Sequence, residues 1–170
     1  MKKIIILNGS PRKKGNTSAL IGAFAEGAKS VGHEVKEFYL YGMNIKGCLG
    51  CNACQRNGGV CVQKDGMAEI YDAFADCDIV VFASPIYFWT VTGVMKTAVD
   101  RLYAAINKFG HEGFKRSGVL LVTSGGSLKS QPDSLNWYSH FADILGWTDL
   151  GRVVGADKAE EAKKLGASIR

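Results

Sequence analysis

No apolar stretch in this 170-residue chain approaches the roughly 20 residues that a membrane-spanning helix needs. Nor does it open with the apolar core and small-residue cleavage site of a secretion signal, so a cytoplasmic setting is expected. Internal repeats and low-complexity segments are missing. There is no Gly-Lys-Ser/Thr of a triphosphate-binding loop and no Gly-x-Gly-x-x-Gly fingerprint of dinucleotide folds. Excess positive charge exists, with a net +5, but it is scattered. Its tightest clusters, Arg12-Lys13-Lys14 and Lys163-Lys164, make no stripe for nucleic acid. His33, His111 and His140 have no metal-ligand spacing to one another.

What is present is ordinary for a globular protein: 46% hydrophobic and 22% charged residues, enough for one domain over residues 1–170. The most informative junction comes first. Ile4-Ile5-Ile6-Leu7-Asn8 reads as a buried parallel strand and runs into a loop carrying Gly9, Ser10, Arg12, Gly15, Asn16, Thr17 and Ser18. A helical pattern starts at about Ala19. Phosphate placed there would meet backbone N–H groups, the positive end of a helix dipole and several donors, with Arg12 adding fixed charge. A capped strand-to-helix turn would not require all of these residues together, so a mononucleotide phosphate is the better reading.

Strands and helices then alternate. Strands are expected at Val35–Leu40, Ile79–Ser84, Gly118–Ser124 and Thr148–Val154. Helices are expected to about Val31, from Asp65, over Val94–Ile106, from Asp133 or Ser134 to Leu145, and from Asp157. Right-handed crossovers make this an α/β three-layer sandwich on a five-stranded parallel sheet in the flavodoxin-like order 2-1-3-4-5. Ligand loops then fall after strands one, three and four.

The loop expected after strand three, Pro85-Ile86-Tyr87-Phe88-Trp89, holds large apolar groups that are costly to leave in water. Packing under the next helix or a dimer contact would explain them, but a planar isoalloxazine ring suits them better. The glycine loop Thr123-Ser124-Gly125-Gly126 would approach the same ring from the other side.

These motifs, Gly-Ser-Pro-Arg…Gly-Asn-Thr-Ser, then Ser-Pro-Ile-Tyr, then Lys96…Asp100-Arg101, resemble the NADPH-dependent FMN reductase superfamily of flavodoxin-like proteins. The resemblance implies FMN, with its phosphate held by Ser10, Arg12, Asn16, Thr17 and Ser18. It places the ring against Pro85, Ile86, Tyr87, Phe88 and Trp89, with Thr123, Ser124, Gly125 and Gly126 at the ring edge or ribityl chain. It further implies NAD(P)H as a transient donor and a homodimer or homotetramer. Lys96, Asp100 and Arg101 would support subunit contacts or the helix.

A cysteine-rich loop spans about residues 41–64, longer than ordinary connections. It carries Cys48, Cys51, Cys54 and, after six more residues, Cys61. In a reducing compartment such density argues for metal or redox chemistry, and ferredoxin-type runs use the first spacing for [4Fe–4S]. Zinc, a redox disulfide such as Cys51 with Cys54, and an unfilled loop stay open. The motif is similar to that of the iron–sulfur flavoprotein branch of the superfamily, which implies all four as cluster ligands. Lys64-Asp65-Gly66-Met67 stands here in place of that branch's Asp-Asp-Met. Cys77 reads as a small buried thiol.

The expected function is FMN-dependent transfer of electrons from NAD(P)H or a reduced carrier protein to a quinone, flavin or similar acceptor. The flavin carries the chemistry, so no catalytic side chain is nominated. The rival is a non-enzymatic flavodoxin-like electron carrier, whose usual acidic docking face this basic chain lacks.

Overall fold

The computed structural model describes residues 1–125 and 132–170. Its sheet is built on the Ile-rich run, which forms β1 (Lys3–Asn8) and is buried from Ile4 onward. To one side lies β2 (Glu34–Tyr39), mostly exposed as an edge strand should be; to the other lie β3 (Ile79–Tyr87), β5 (Ser117–Thr123) and β6 (Thr148–Val154). All pair in parallel, in the order β2-β1-β3-β5-β6, and the two-residue β4 (Thr90–Val91) pairs antiparallel with β3 alone. Counting only parallel strands, this is the expected 2-1-3-4-5 arrangement. Register places Ile6 between Glu37 and Val81.

Strand residues alternate faces, so the sheet feeds two cores. Ile4, Ile6, Val81 and Leu121 pack against α1 (Asn16–Ser30) and α7 (Ala159–Ser168). Ile5, Leu7, Val80 and Phe82 face α3 (Met67–Asp76), α4 (Gly93–Arg101), α5 (Tyr103–Phe114) and α6 (Asp133–Leu145). Phe82 sits at the centre of the second core, ringed by Trp137, Tyr138, Phe141 and Trp147. Burial on both faces is why β1, β3 and β5 read as continuous apolar runs.

Three differences from the sequence reading bear on the site. First, α1 begins at Asn16 rather than Ala19, so Asn16, Thr17 and Ser18 form its first turn. Second, the expected Val94–Ile106 helix is two helices, α4 and α5, meeting at Leu102. Third, β3 runs on through Pro85 to Tyr87, so the expected loop from Pro85 to Thr92 is a β-hairpin. Proline is tolerated because β1 stops at Asn8, opposite Ala83. Alternation turns the Pro85 nitrogen toward that vacated side, where its missing N–H costs no ladder bond. Among the described residues, no helix is long and apolar enough to cross a membrane.

Candidate functional site

Apart from Arg101, the buried polar side chains among the described residues gather in one place. Asn8, Ser10, Thr17, Ser84, Thr92 and Thr123 are all buried and all lie at the carboxyl edge of the sheet. Their hydrogen bonds join the three loops there. The Thr17 and Thr123 hydroxyls meet at 2.8 Å, tying α1 to the end of β5. Thr92 Oγ1 donates to the Gly9 carbonyl at 2.8 Å, while its N–H donates to Ser84 Oγ at 3.0 Å. Gly9 permits this closeness: a β-carbon there would lie 2.8 Å from Thr92 Oγ1 and 3.0 Å from the Met95 β-carbon. Asn8 and Thr92 were not assigned to the site from the sequence, and Ser84 entered only within the Ser-Pro-Ile-Tyr motif, because isolated polar residues carry no local signal.

The loop between β1 and α1 is braced from inside. Asn8 Oδ1 accepts from the Ser10 N–H at 2.9 Å, and Ser10 Oγ accepts from the Arg12 N–H at 3.2 Å. Ser18 Oγ donates to the Arg12 carbonyl at 3.0 Å, and the Tyr39 hydroxyl holds the Pro11 carbonyl at 3.0 Å. Ser10 and Ser18 therefore shape the loop. At the start of α1, Gly15 occupies the cap position without a side-chain hydrogen bond, and the first turn holds no acidic residue. The first-turn N–H groups have no partner within the helix and face the positive end of its dipole. Exposed Arg12 and Asn16 flank them. This geometry suits an anion.

The aromatic segment is a hairpin tip. Ile86 pairs with Val91 and Tyr87 with Thr90, leaving Phe88-Trp89 as a two-residue turn with φ of 46° and 67°. Turns of this sign normally use Asn-Gly, and each bulky residue held there costs about 1–2 kcal/mol. Phe88 is nevertheless 89% exposed and Trp89 56%. Strained aromatics left in water mark a surface kept for contact rather than for folding. Phe88→Asn combined with Trp89→Gly is expected to stabilise the protein by about 1–2 kcal/mol, visible as a higher urea midpoint. Pro85 is half-buried, whereas Ile86 turns its side chain into the core. Tyr41, beside Tyr39 at 6.4 Å between ring centroids, joins this wall unannounced by the sequence. Its pKa is raised first by burial and then by the neighbouring Tyr87 and Tyr39. Thr123 is buried, Ser124 half-buried and Gly125 exposed. Gly126 lies outside the described residues.

A broad depression of about 610 Å³ lies at the opposite edge of the sheet, bordered by Lys2, Asp78, Arg116 and Thr148. It has none of the buried hydroxyl layer, and ligands of open α/β sheets bind at the carboxyl edge.

The cysteine loop forms a second locale. It contains the short α2 (Ala53–Arg56), entered through Gly50 and Asn52 at φ of 61° and 53°. Cys48 and Cys51 are exposed, Cys54 and Cys61 half-buried, and all are free thiols. All four line one pocket of about 50 Å³, together with Leu49, Val62, Arg101 and Tyr103. Among the described residues, no three His, Cys, Asp or Glu side chains converge closely enough to hold a metal ion. Cys77 stands apart, its thiol pushed up to about 11 by burial despite the nearby Arg116, which suits an inert core residue.

The loop is clamped at its base. Arg101, 1% exposed, donates from Nη1 to Asp65 Oδ2 and to the Lys46 carbonyl, each at 2.7 Å, and from Nη2 to Asp65 Oδ1 at 3.1 Å. Asp65 also accepts the N–H groups of Lys46 and Met67 at 3.0 and 3.1 Å. Burial pushes the Asp65 pKa up, but the Arg101 guanidinium and these two N–H donors outweigh it and hold the carboxyl below its ordinary value. Arg101 thus works inside the protein, clamping the loop to α4. Lys96 and Asp100 pair with each other on the surface.

The parallel sheet in this strand order defines a flavodoxin-like class of protein. Residues 2–161 match the family of NADPH-dependent FMN reductases, and the chain belongs to that family. It is similar to two iron–sulfur flavoproteins of Archaeoglobus fulgidus. One is 39% identical over 58% of this chain and 48% of its own length. The other is 31% identical over 99% of this chain and 79% of its own length. The chain thus spans about half the length of the first of these relatives. The solved NAD(P)H:quinone oxidoreductase from Methanothermobacter marburgensis shares the fold, with a TM-score of 0.72 at 18% identity, covering 98% of this chain and 94% of that one.

Proposed function

We propose that this chain is an FMN-dependent oxidoreductase that takes electrons from NAD(P)H or a reduced carrier protein and passes them to a quinone, a flavin or a similar acceptor. One observation carries the reading: an uncapped, acid-free helix start faces a layer of buried hydroxyls that locks the three carboxyl-edge loops together. FMN, when bound, supplies two-electron and one-electron chemistry. The first-turn N–H groups of Asn16, Thr17 and Ser18, with Arg12, would anchor its phosphate. The Thr17–Thr123 and Thr92–Gly9 contacts hold the loops at fixed spacing, so little ordering cost falls on binding. Pro85, Tyr87, Phe88 and Trp89 would keep water from the bound ring, and Thr123, Ser124 and Gly125 would offer it polar groups. No side-chain acid, base or nucleophile is needed.

The four cysteines of the second locale are proposed to hold a [4Fe–4S] cluster. Their all-thiol donor set and mostly apolar surroundings suit one, although no three of the thiols converge on a single ion as they stand, and the two Archaeoglobus relatives are named iron–sulfur flavoproteins. A bound cluster passes electrons singly.

Flavin-free protein titrated with FMN and then assayed with NADPH and a quinone tests this reading. Saturable uptake with steady turnover is expected. Protein that takes up no FMN overturns the reading, and FMN-loaded protein with negligible turnover identifies an electron carrier instead. Iron analysis of protein purified without oxygen decides the cluster separately.

A further inference from the structure

Arg101 carries five N–H donors, and hydrogen bonds account for only three of them. Both terminal nitrogens bond to Asp65 and Nη1 also to the Lys46 carbonyl, which leaves one N–H of Nη2 over. The Arg101 Nε–H is buried and has no partner. The side chain is 1% exposed, so water does not compensate. An unpaired donor on a buried cation is costly, and native proteins keep one where something else completes it. The same side chain lines the pocket that holds all four thiols of the loop, and Cys61 lies near enough to act on it electrostatically. The neighbouring Tyr71 hydroxyl donates to the Arg101 carbonyl at 2.8 Å and its oxygen bears on the guanidinium, but Nε itself makes no hydrogen bond to it.

We propose that the Arg101 Nε–H is a hydrogen-bond donor to a sulfur of the cluster held by Cys48, Cys51, Cys54 and Cys61, and that it raises the cluster's reduction potential. This rests on the cluster reading given above. Four thiolates and their cluster carry net negative charge, and reduction adds one more. A fixed guanidinium with a hydrogen bond to sulfur favours the reduced form. Asp65 holds the guanidinium by its far edge and offsets part of its charge, so it tempers the same effect. Arginine suits the position where lysine does not: its planar fork satisfies Asp65 and still leaves the Nε–H over.

Two substitutions in holoprotein loaded with FMN, iron and sulfide separate this role from mere support of the loop. Arg101→Lys keeps the charge and an ion pair to Asp65 but removes the spare donor. At the wild-type midpoint its reduced-to-oxidised cluster ratio is expected to fall about tenfold, equal to about 59 mV for one electron. Asp65→Asn leaves the donor and removes the opposing charge, so the midpoint is expected to move the other way. The readout is a dithionite titration followed by electron paramagnetic resonance, with iron and FMN contents measured alongside. Equal midpoints in Arg101→Lys and wild type, or shifts of the same sign in both variants, overturn the assignment. Wild-type protein that binds FMN but incorporates no iron or sulfide overturns the cluster reading beneath it, a distinct result.

Discussion

Asn16→Glu is expected to weaken FMN binding on the order of 100-fold while leaving the flavin-free protein as stable as before, or more so. The two effects come from one charge. Asn16 is exposed and is the first residue of α1, whose opening turn has no acid and no side-chain cap. A carboxylate there complements the helix dipole by about 0.3–1 kcal/mol. The same carboxylate competes for the N–H groups proposed to take the phosphate. At about 4 Å and an effective dielectric near 20, each like-charge pair costs about 4 kcal/mol, and exposure reduces this. Flavin fluorescence quenching gives the affinity and thermal melting of flavin-free protein gives the stability. Riboflavin, which lacks the phosphate, should bind both proteins alike. If FMN and riboflavin lose affinity equally, the phosphate is held elsewhere.

The second large effect concerns the Asp65–Arg101 clamp. Arg101→Met strands a carboxylate whose side chain is 2% exposed, and such losses typically cost about 3–5 kcal/mol. Adding Asp65→Leu is expected to recover most of it, since a buried ion pair is often no better than apolar contact. Acid should reveal the pair as well. The folded Asp65 pKa lies below 3.8, so its contribution is complete above the unfolded value and drains away as pH falls through the folded one. Between pH 7 and pH 2 the wild-type urea midpoint should therefore fall further than that of the double variant. Parallel curves throughout would remove Asp65 as a titrating contributor.

The parallel-sheet fold was readable because its signals are local: Ile4–Leu7, Ile79–Phe82 and Val119–Val122 are short β-branched or apolar runs, each followed by helical periodicity. The phosphate loop was readable for the same reason, since its residues are neighbours in the chain. The hairpin at Pro85–Val91 was not, because Phe-Trp is a poor turn sequence and proline argues against a strand. Nothing local announces that β1 has already ended beside it. The break at Leu102 was equally hidden, as α4 and α5 carry one continuous helical pattern.

The amino-acid order alone thus determined which segments are the five parallel strands, which loops reach the carboxyl edge, and which thiols share a loop. Those depend on propensity and spacing within a few residues. Only the tertiary structure decided that Thr17 meets Thr123, that Thr92 meets Gly9, and that Arg101 is a buried clamp beside the thiols. These contacts join residues separated by 106, 83 and 36 positions. Whether a polar side chain is buried, and what satisfies it there, is settled by packing between elements.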